Sequence, residues 1–507
     1  MSAAGRMTPS RDTVIARYRD GVGTALHVRL VADLETPVSA YLKLTGGDGP
    51  AFLLESVEGG RVRGRYSILG AAPDLLWRVV DGRAEINPDP ALNPETYTDT
   101  RLSPLQSLRQ VVKDAQLDLP EDLPPMAGGL VGYLGYDMVR WMERLGPMRR
   151  DPLGMPTAFF MRPRLTAVFD TVTDWLTLVA PVRPGDADSA ETAYEAAAGA
   201  LEAALARLQG PLPATVAPER TPAGADPDAT PLAATIISNT GPESYARMVE
   251  TAREHIRAGD IFQTVLSQRF TAPFALPPFA LYRAVRRTNP APFLFFMDLP
   301  DGAVVGSSPE IMVRLRDGTV TVRPIAGTRP RGRDSAEDAA LADDLLADPK
   351  EVSEHLMLLD LGRNDVGRVA SPGSVRVTAR NMIERYSHVM HIVSNVEGQI
   401  ETDRDAIDAL SATFPAGTVS GAPKIRAMEI IDTLEPEARG VYAGAVGYFA
   451  ADGSMDSCIV LRTAIVKDGM MHVQAGAGIV ADSDPQSEQQ ECENKAKALF
   501  RAAEEAR

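Results

Sequence analysis

The stretch from Gly440 to Val480, GVYAGAVGYFAADGSMDSCIVLRTAIVKDGMMHVQAGAGIV, decides the fold class. Its apolar, β-branched runs are punctuated by Asp-Gly pairs at 452–453 and 468–469, a dipeptide that suits hairpin turns needing positive φ at both central residues. The stretch predicts a three-stranded meander, with CIVLRTAIV as one continuous strand. Strands joined this way pair antiparallel, which argues against a regular βαβ repeat. Helical patterns stand apart from the strands: SPLQSLRQVVKDAQL (103–117), PESYARMVETAREHIRAGD (242–260), a two-piece helix over 334–369 split near Pro349, and a last helix over about 486–506. The expected class is α+β, with mixed or antiparallel sheets flanked by helices.

A composition shift divides the chain. ADSAETAYEAAAGALEAALARLQG (187–210) reads as an Ala-rich helix, and PLPATVAPERTPAGADPDATPLAA (211–234) reads as a flexible Pro/Ala linker. The expected organisation is an N-terminal region over 1–183, this connecting segment over 184–240, and a C-terminal region over 241–507.

The 507 residues can bury a large core. A formal net charge of −16 argues against nucleic acid as the main partner, but leaves room for a small anion held by a local basic cluster. Two cysteines, Cys458 and Cys492, exclude a disulfide scaffold and suit a reducing compartment. No signal-peptide core and no run long enough to span a membrane is present, so a cytoplasmic location is expected.

Two features could carry chemistry. Glu351 and Glu354 are three apart on one predicted helix, Glu488 and Glu491 on another, and Lys495 follows four beyond Glu491. Residues three or four apart share a helix face, and two such faces brought together would suit Mg²⁺, which takes one or two carboxylates plus water and substrate oxygens. The same spacing also describes two solvated faces with ordinary salt bridges. Arg462, inside an apolar run, shares a strand face with Cys458, Val460 and Ala464. It needs a carboxylate partner there, unless the strand lies at an edge and the side chain reaches solvent.

Three patterns are set aside. GAGIVA (476–481) fits a loose dinucleotide-binding pattern, but the DSDP that follows starts no helix within the motif. Ser420 lacks the flanking glycines of a nucleophile elbow. His388 and His391 have no Cys or third His nearby, so hydrogen-bonding or core histidines describe them better than metal ligands.

An ordered series of blocks carries a resemblance: GDIFQTVLSQRF, GSSPEIMVRL, RPIAGTRPRG, KEVSEHLMLLDLGRNDVGRV, SHVMHIVSNVEG, FPAGTVSGAPK, RGVYAGAVGYF, LRTAIV and QAGAGIVADSDPQSEQQECENKAKAL, within about 240–507. The chain resembles the chorismate-utilising enzymes, and among them the large components of anthranilate synthase. The resemblance implies a large sandwich in which N- and C-terminal segments pack together around the site. It implies Mg²⁺ on Glu354 and Glu491, with Glu351 and Glu488 acting through water or a second layer. Glu310 matches the general acid that protonates the departing C4 hydroxyl, and His391 a histidine near the reacting ring. Tyr442, Arg462, Lys495 and the backbone at Gly476 and Gly478 match the groups holding the enolpyruvyl carboxylate. Gly327 and Thr328 lie beside the ring, and Arg329 and Arg331 are expected to be structural.

The reaction implied is addition of ammonia at C2 of chorismate, loss of the C4 hydroxyl and elimination of pyruvate, giving anthranilate for tryptophan biosynthesis. Gln263 stands where water-using branches carry a lysine base, and Ala326 where aminodeoxychorismate synthases commonly carry a lysine nucleophile; both point to anthranilate. The segment LLESVEGGRVRGRYS resembles the family's tryptophan-binding element, with Glu55 and Ser56 as inhibitor contacts completed by Pro292, Phe293 and Leu294. Neither cysteine sits in a glutaminase setting, so a separate glutamine amidotransferase subunit, in a heterotetramer, is the expected partner. The rival readings are an aminodeoxychorismate or aminodeoxyisochorismate synthase, and a catalytically silent tryptophan-binding regulator.

Overall fold

The computed structural model describes residues 6–47, 49–58, 62–120, 122–213, 232–386 and 389–506. Most of the expected Pro/Ala linker, the tip of the Leu53–Ser67 segment, and His388 lie outside the described residues.

Every strand pairing among the described residues is antiparallel, and two long strands organise them all. Val62–Val80 and Ala158–Asp170 pair along most of their length, with an irregularity between Pro73 and Leu75. One end leads into a first sheet, through Ala51–Glu58, Phe293–Leu299, Gly302–Ser308, Thr463–Lys467 and Met470–Ile479 to Gln263–Pro273. The other end leads into a second, through Gly129–Leu134, Ala445–Ala450, Met455–Ile459, Ile311–Arg316 and Thr319–Val322 to Val389–Gln399. Phe52, Phe295 and Met297 from the first sheet meet Tyr133, Val446 and Cys458 from the second in a shared buried cluster. This is the sandwich core.

Helices cover the outer faces. Pro242–Arg257, Pro278–Thr288 and Pro485–Ala506 pack on the first sheet through Tyr245, Tyr282 and Leu499, and the Ala-rich helix Ala190–Gln209 joins them through Leu201. Pro104–Asp114, Pro349–Gly367 and Ala406–Thr413 pack on the second sheet through Leu108, Leu359 and Leu410. The helix expected over 334–369 is split as predicted, into Ser335–Ala347 and Pro349–Gly367, with Asp348 capping the second piece. Both cysteines are free and buried.

The opening stretch differs from its prediction in one respect. Both Asp-Gly turns form hairpins, with Asp468 and Gly469 both at positive φ as the tight turn requires. However, the run CIVLRTAIV is two strands, Met455–Ile459 and Thr463–Lys467, and the stretch holds four strands instead of three. Arg462 has φ +47°, outside the extended region, so the chain turns there. Ala464 then pairs with Val305 in the first sheet, whereas Cys458 pairs with Val446 in the second. Arg462 is therefore on neither strand and does not share their alternation.

Candidate active site

The strand Ile325–Pro330 runs through the middle of the site. Gly327, at φ +72°, interrupts its pairing with Val389–Gln399 and lets Thr328 reach His391. A Cβ at Gly327 would lie 3.1 Å from Glu351 Oε2, so the absent side chain makes room for that carboxylate. The His391 Nδ1–H donates to the Gly327 carbonyl at 3.0 Å and lies 3.1 Å from Thr328 Oγ1. With Nδ1 protonated, Nε2 keeps its lone pair. Burial lowers the His391 pKa, the Gly327 contact raises it, and Arg462 lowers it further, so the ring is neutral and able to accept a proton at Nε2.

Glu310 is a buried carboxyl following Pro309. Burial pushes its pKa up to about 8, opposed by hydrogen bonds from Thr418 Oγ1 (3.2 Å) and the Ile325 backbone N–H. It is a protonated acid at neutral pH, which is what donation to a leaving hydroxyl requires. Thr418, in the PAGTVSG loop, is a site residue that sequence reading missed. Its position between two glycines at 417 and 421 was the available signal.

The four glutamates come from two helices, as the spacing suggested. Burial raises the pKa of Glu354, with Glu351 and Glu491 adding to the rise; burial and Glu491 raise that of Glu488. Like charges acting on one another in this way show that the two faces converge. Each of these carboxylates has a polar partner: Gln263 Nε2 donates to Glu354 at 3.3 Å, Lys495 pairs with Glu491 at 2.6 Å, Arg329 pairs with Glu351 at 3.1 Å, and the Ser483 side chain hydrogen-bonds to Glu488. Among the described residues no three acidic, His or Cys groups lie close enough to hold an ion by themselves. The arrangement fits a hard cation that takes one or two protein carboxylates and completes its shell with water and a ligand carboxylate.

A basic and polar wall closes the ring. Lys495 Nζ donates to the Gly476 carbonyl at 2.9 Å. A Cβ at Gly476 would lie 2.9 Å from the Tyr442 hydroxyl, and one at Gly478 2.5 Å from Gln263 Nε2; both glycines are needed for this close approach. The glycine motif accordingly ends a strand and opens no helix, the next helix starting at Pro485. Arg462 is partly buried and burial lowers its pKa, while among the described residues Tyr386 alone acts to raise it. No carboxylate among them satisfies it, contrary to the partner its setting called for.

Beneath the wall, Arg439 is buried and donates to Glu435 and to the carbonyls of Val419 and Val265 at 2.6–2.9 Å, with its guanidinium 5.7 Å from the Tyr442 ring centre. Removing one member of a buried ion pair strands the other. Arg439→Met is therefore expected to cost about 3 kcal/mol of stability, read as a lowered denaturation midpoint. Arg331 and Arg329 are structural, as expected: Arg331 binds Asp338 and the Tyr386 carbonyl, and Arg329 spans Asp344, Asp348 and Glu351.

Apart from this ring lies a cavity of about 690 Å³, lined by Glu55, Ser56, Pro292, Phe293 and Leu294 among others. The two segments meet because Glu55 pairs with Leu294 and Ser56 with Phe293 across the sheet. The Glu55 carboxylate is already engaged by Arg286 at 2.5 and 2.9 Å and by the Tyr282 hydroxyl at 2.6 Å, so it shapes the wall instead of presenting a free charge.

The chain matches the family model for chorismate binding enzymes over residues 81–501. It is 53% identical over 489 residues to anthranilate synthase component 1 of Cereibacter sphaeroides, covering 96% of each chain. The Thermus thermophilus protein of the same name is 50% identical over 474 residues, 94% of this chain and 96% of that one. The crystal structure of anthranilate synthase component I from Streptococcus pneumoniae superposes with a TM-score of 0.75 at 39% identity, over 93% of this chain and 98% of the other. The menaquinone-specific isochorismate synthase of Escherichia coli shares the fold, with a TM-score of 0.66 at 21% identity over 97% and 98%. With its sandwich, its converging carboxylates and this full-length likeness, the chain belongs to the chorismate binding enzyme family, among the anthranilate synthase component 1 proteins.

Proposed function

We propose that this chain converts chorismate and ammonia to anthranilate, pyruvate and water, as the synthase component of an anthranilate synthase. The observation that carries the reading is Glu310, a carboxylic acid kept neutral by burial and hydrogen-bonded by the same strand, Ile325–Pro330, that holds the neutral base His391. In this reading Arg462, Lys495, Tyr442 and the Gly476–Gly478 backbone hold the enolpyruvyl carboxylate. Ammonia bonds to C2 as the C4–O bond breaks, and the Glu310 proton leaves with the hydroxyl as water. His391, held through Nδ1 by Gly327 and Thr328, takes at Nε2 a proton released around the ring, and the enolpyruvyl group gains a proton at its methylene as it departs as pyruvate, leaving an aromatic product. Mg²⁺ on Glu354 and Glu491, with Glu351 and Glu488 behind them, would neutralise the ring carboxylate and draw electrons from the ring.

Gln263, a neutral amide bonded to Glu354, is a poor base for water, which favours ammonia as nucleophile. Ala326 is 9% exposed and has no nucleophile to offer at C2. Ala326→Lys is expected to lower anthranilate formation by at least about tenfold, since it adds an amine and overpacks a buried position; an unchanged rate would show that the position does not decide the chemistry.

The deciding experiment supplies the purified chain with chorismate, Mg²⁺ and ammonium at mildly alkaline pH. Fluorescent anthranilate is expected, and its absence, or a product retaining the enolpyruvyl ether, refutes the reading. Glutamine in place of ammonium is expected to give no product until an amidotransferase subunit is added, in keeping with a heterotetramer of two components. The two buried free cysteines suit a cytoplasmic setting. The 690 Å³ cavity is read as a tryptophan site for feedback inhibition: its walls are apolar at Leu54, Phe293 and Ile68 and polar at Ser56 and Asp456.

A further inference from the structure

The cavity and the catalytic groups share a wall one residue thick. Pro309 and Ile311 line the cavity, and Glu310 lies between them in sequence. Ile325 lines the same cavity, and its backbone N–H donates to the Glu310 carboxyl. Tyr386 is a third shared residue. It lines the cavity, and its ring meets His391 edge-on, with centroids 5.4 Å apart and planes at 62°. Its hydroxyl donates to Glu384 at 3.0 Å, and Glu384 in turn pairs with Arg323 at the cavity edge.

The strand that begins at Ile325 continues past His391 at Gly327 and Thr328 and is tied to Glu351 through Arg329. A displacement at its first residue is therefore delivered to the acid directly, and along the strand to the other groups. On the reading that the cavity takes an aromatic amino acid, we propose that Ile325 is the positioning residue through which that ligand acts on Glu310. A side chain filling the cavity presses on Ile325 and shifts the N–H that orients the acid. Misplacing a reacting group by about 1 Å can cost on the order of 10²-fold in rate, so a small movement suffices for inhibition.

The test is a binding linkage, which works without turnover. Calorimetry measures L-tryptophan affinity with and without saturating chorismate and Mg²⁺, in the absence of any ammonia source. Coupling between two ligands is reciprocal, so the ratio of the two affinities reports coupling whatever the absolute affinity of a variant. The wild type is expected to bind L-tryptophan at least about fivefold more weakly with chorismate present, within the usual range of coupling energies. Ile325→Ala is expected to bring that ratio close to one, and Ile325→Val to give an intermediate value. The conservative variant guards against a folding defect in the smaller one. An unchanged ratio in both variants, or a ratio of one in the wild type, overturns the proposal while leaving the tryptophan site standing. Absence of L-tryptophan binding to the wild type removes the site reading itself, and the proposal with it.

Discussion

Glu310→Gln is expected to slow anthranilate formation by about 10²–10⁴-fold, the usual worth of a positioned general acid, while making the protein more stable at neutral pH. Both effects have one cause. The carboxyl is buried, and its proton is retained up to about pH 8 against an ordinary value of 4.5. Wild-type kcat should therefore fall as pH rises through about 8, where the acid form is lost, and the variant's residual rate should lack that limb. The stability effect follows from proton counts in the two states. Between pH 4.5 and about 8 the unfolded chain releases a proton that the folded chain keeps, so the unfolded state binds fewer protons and wild-type stability declines with rising pH. The glutamine side chain of the variant has no proton to lose and can still accept from Thr418 and Ile325 through its amide oxygen. The variant's melting temperature should match the wild type below about pH 4.5 and rise above it progressively up to about pH 8. A near-wild-type rate, or a melting difference that does not depend on pH, would sink the assignment.

The parts of the fold that were legible in the sequence are those set by local chemistry. Asp468 and Gly469 dictate a hairpin because the turn needs two positive φ values, and Pro349 after Asp348 marks a helix start whatever surrounds it. The break at Arg462 was not legible, because an apolar run reads as one strand until two different neighbours claim its halves. Here Gly302–Ser308 takes the second half and Ala445–Ala450 the first. The site divides similarly. The i,i+3 glutamate pairs were visible as helix faces, but their meeting depends on how two distant helices pack. The protonated state of Glu310 rests on burial, set against a hydrogen bond from Thr418, 108 residues away, and no local pattern encodes either. The resemblance points to Glu310 and His391 by motif alone; the geometry supplies the burial that keeps the carboxyl protonated and the imidazole neutral.

Arg462→Met shows the same opposition between function and stability from the side of charge. The guanidinium sits where the chain leaves one sheet for the other, at a backbone φ of +47° that few non-glycine residues adopt. Burial lowers its pKa, and among the described residues no carboxylate compensates it. A desolvated cation held without a counterion costs stability in the free protein. Bound substrate would relieve that cost if its carboxylate takes the two-pronged contact that a guanidinium offers. Losing one partner of such a pair costs about 2–5 kcal/mol, or roughly 30-fold to several thousandfold in affinity. The chorismate dissociation constant measured by calorimetry should rise by that factor in Arg462→Met, and the ligand-free variant should melt above the wild type. Arg462→Lys should recover little of the affinity, because an ammonium cannot make the paired contact. If Arg462→Met instead binds chorismate normally, the guanidinium is a structural plug for the turn and the enolpyruvyl carboxylate rests on Lys495 and the glycine backbone. If it binds poorly and also melts below the wild type, the cation is satisfied in the free protein and the account of its burial fails.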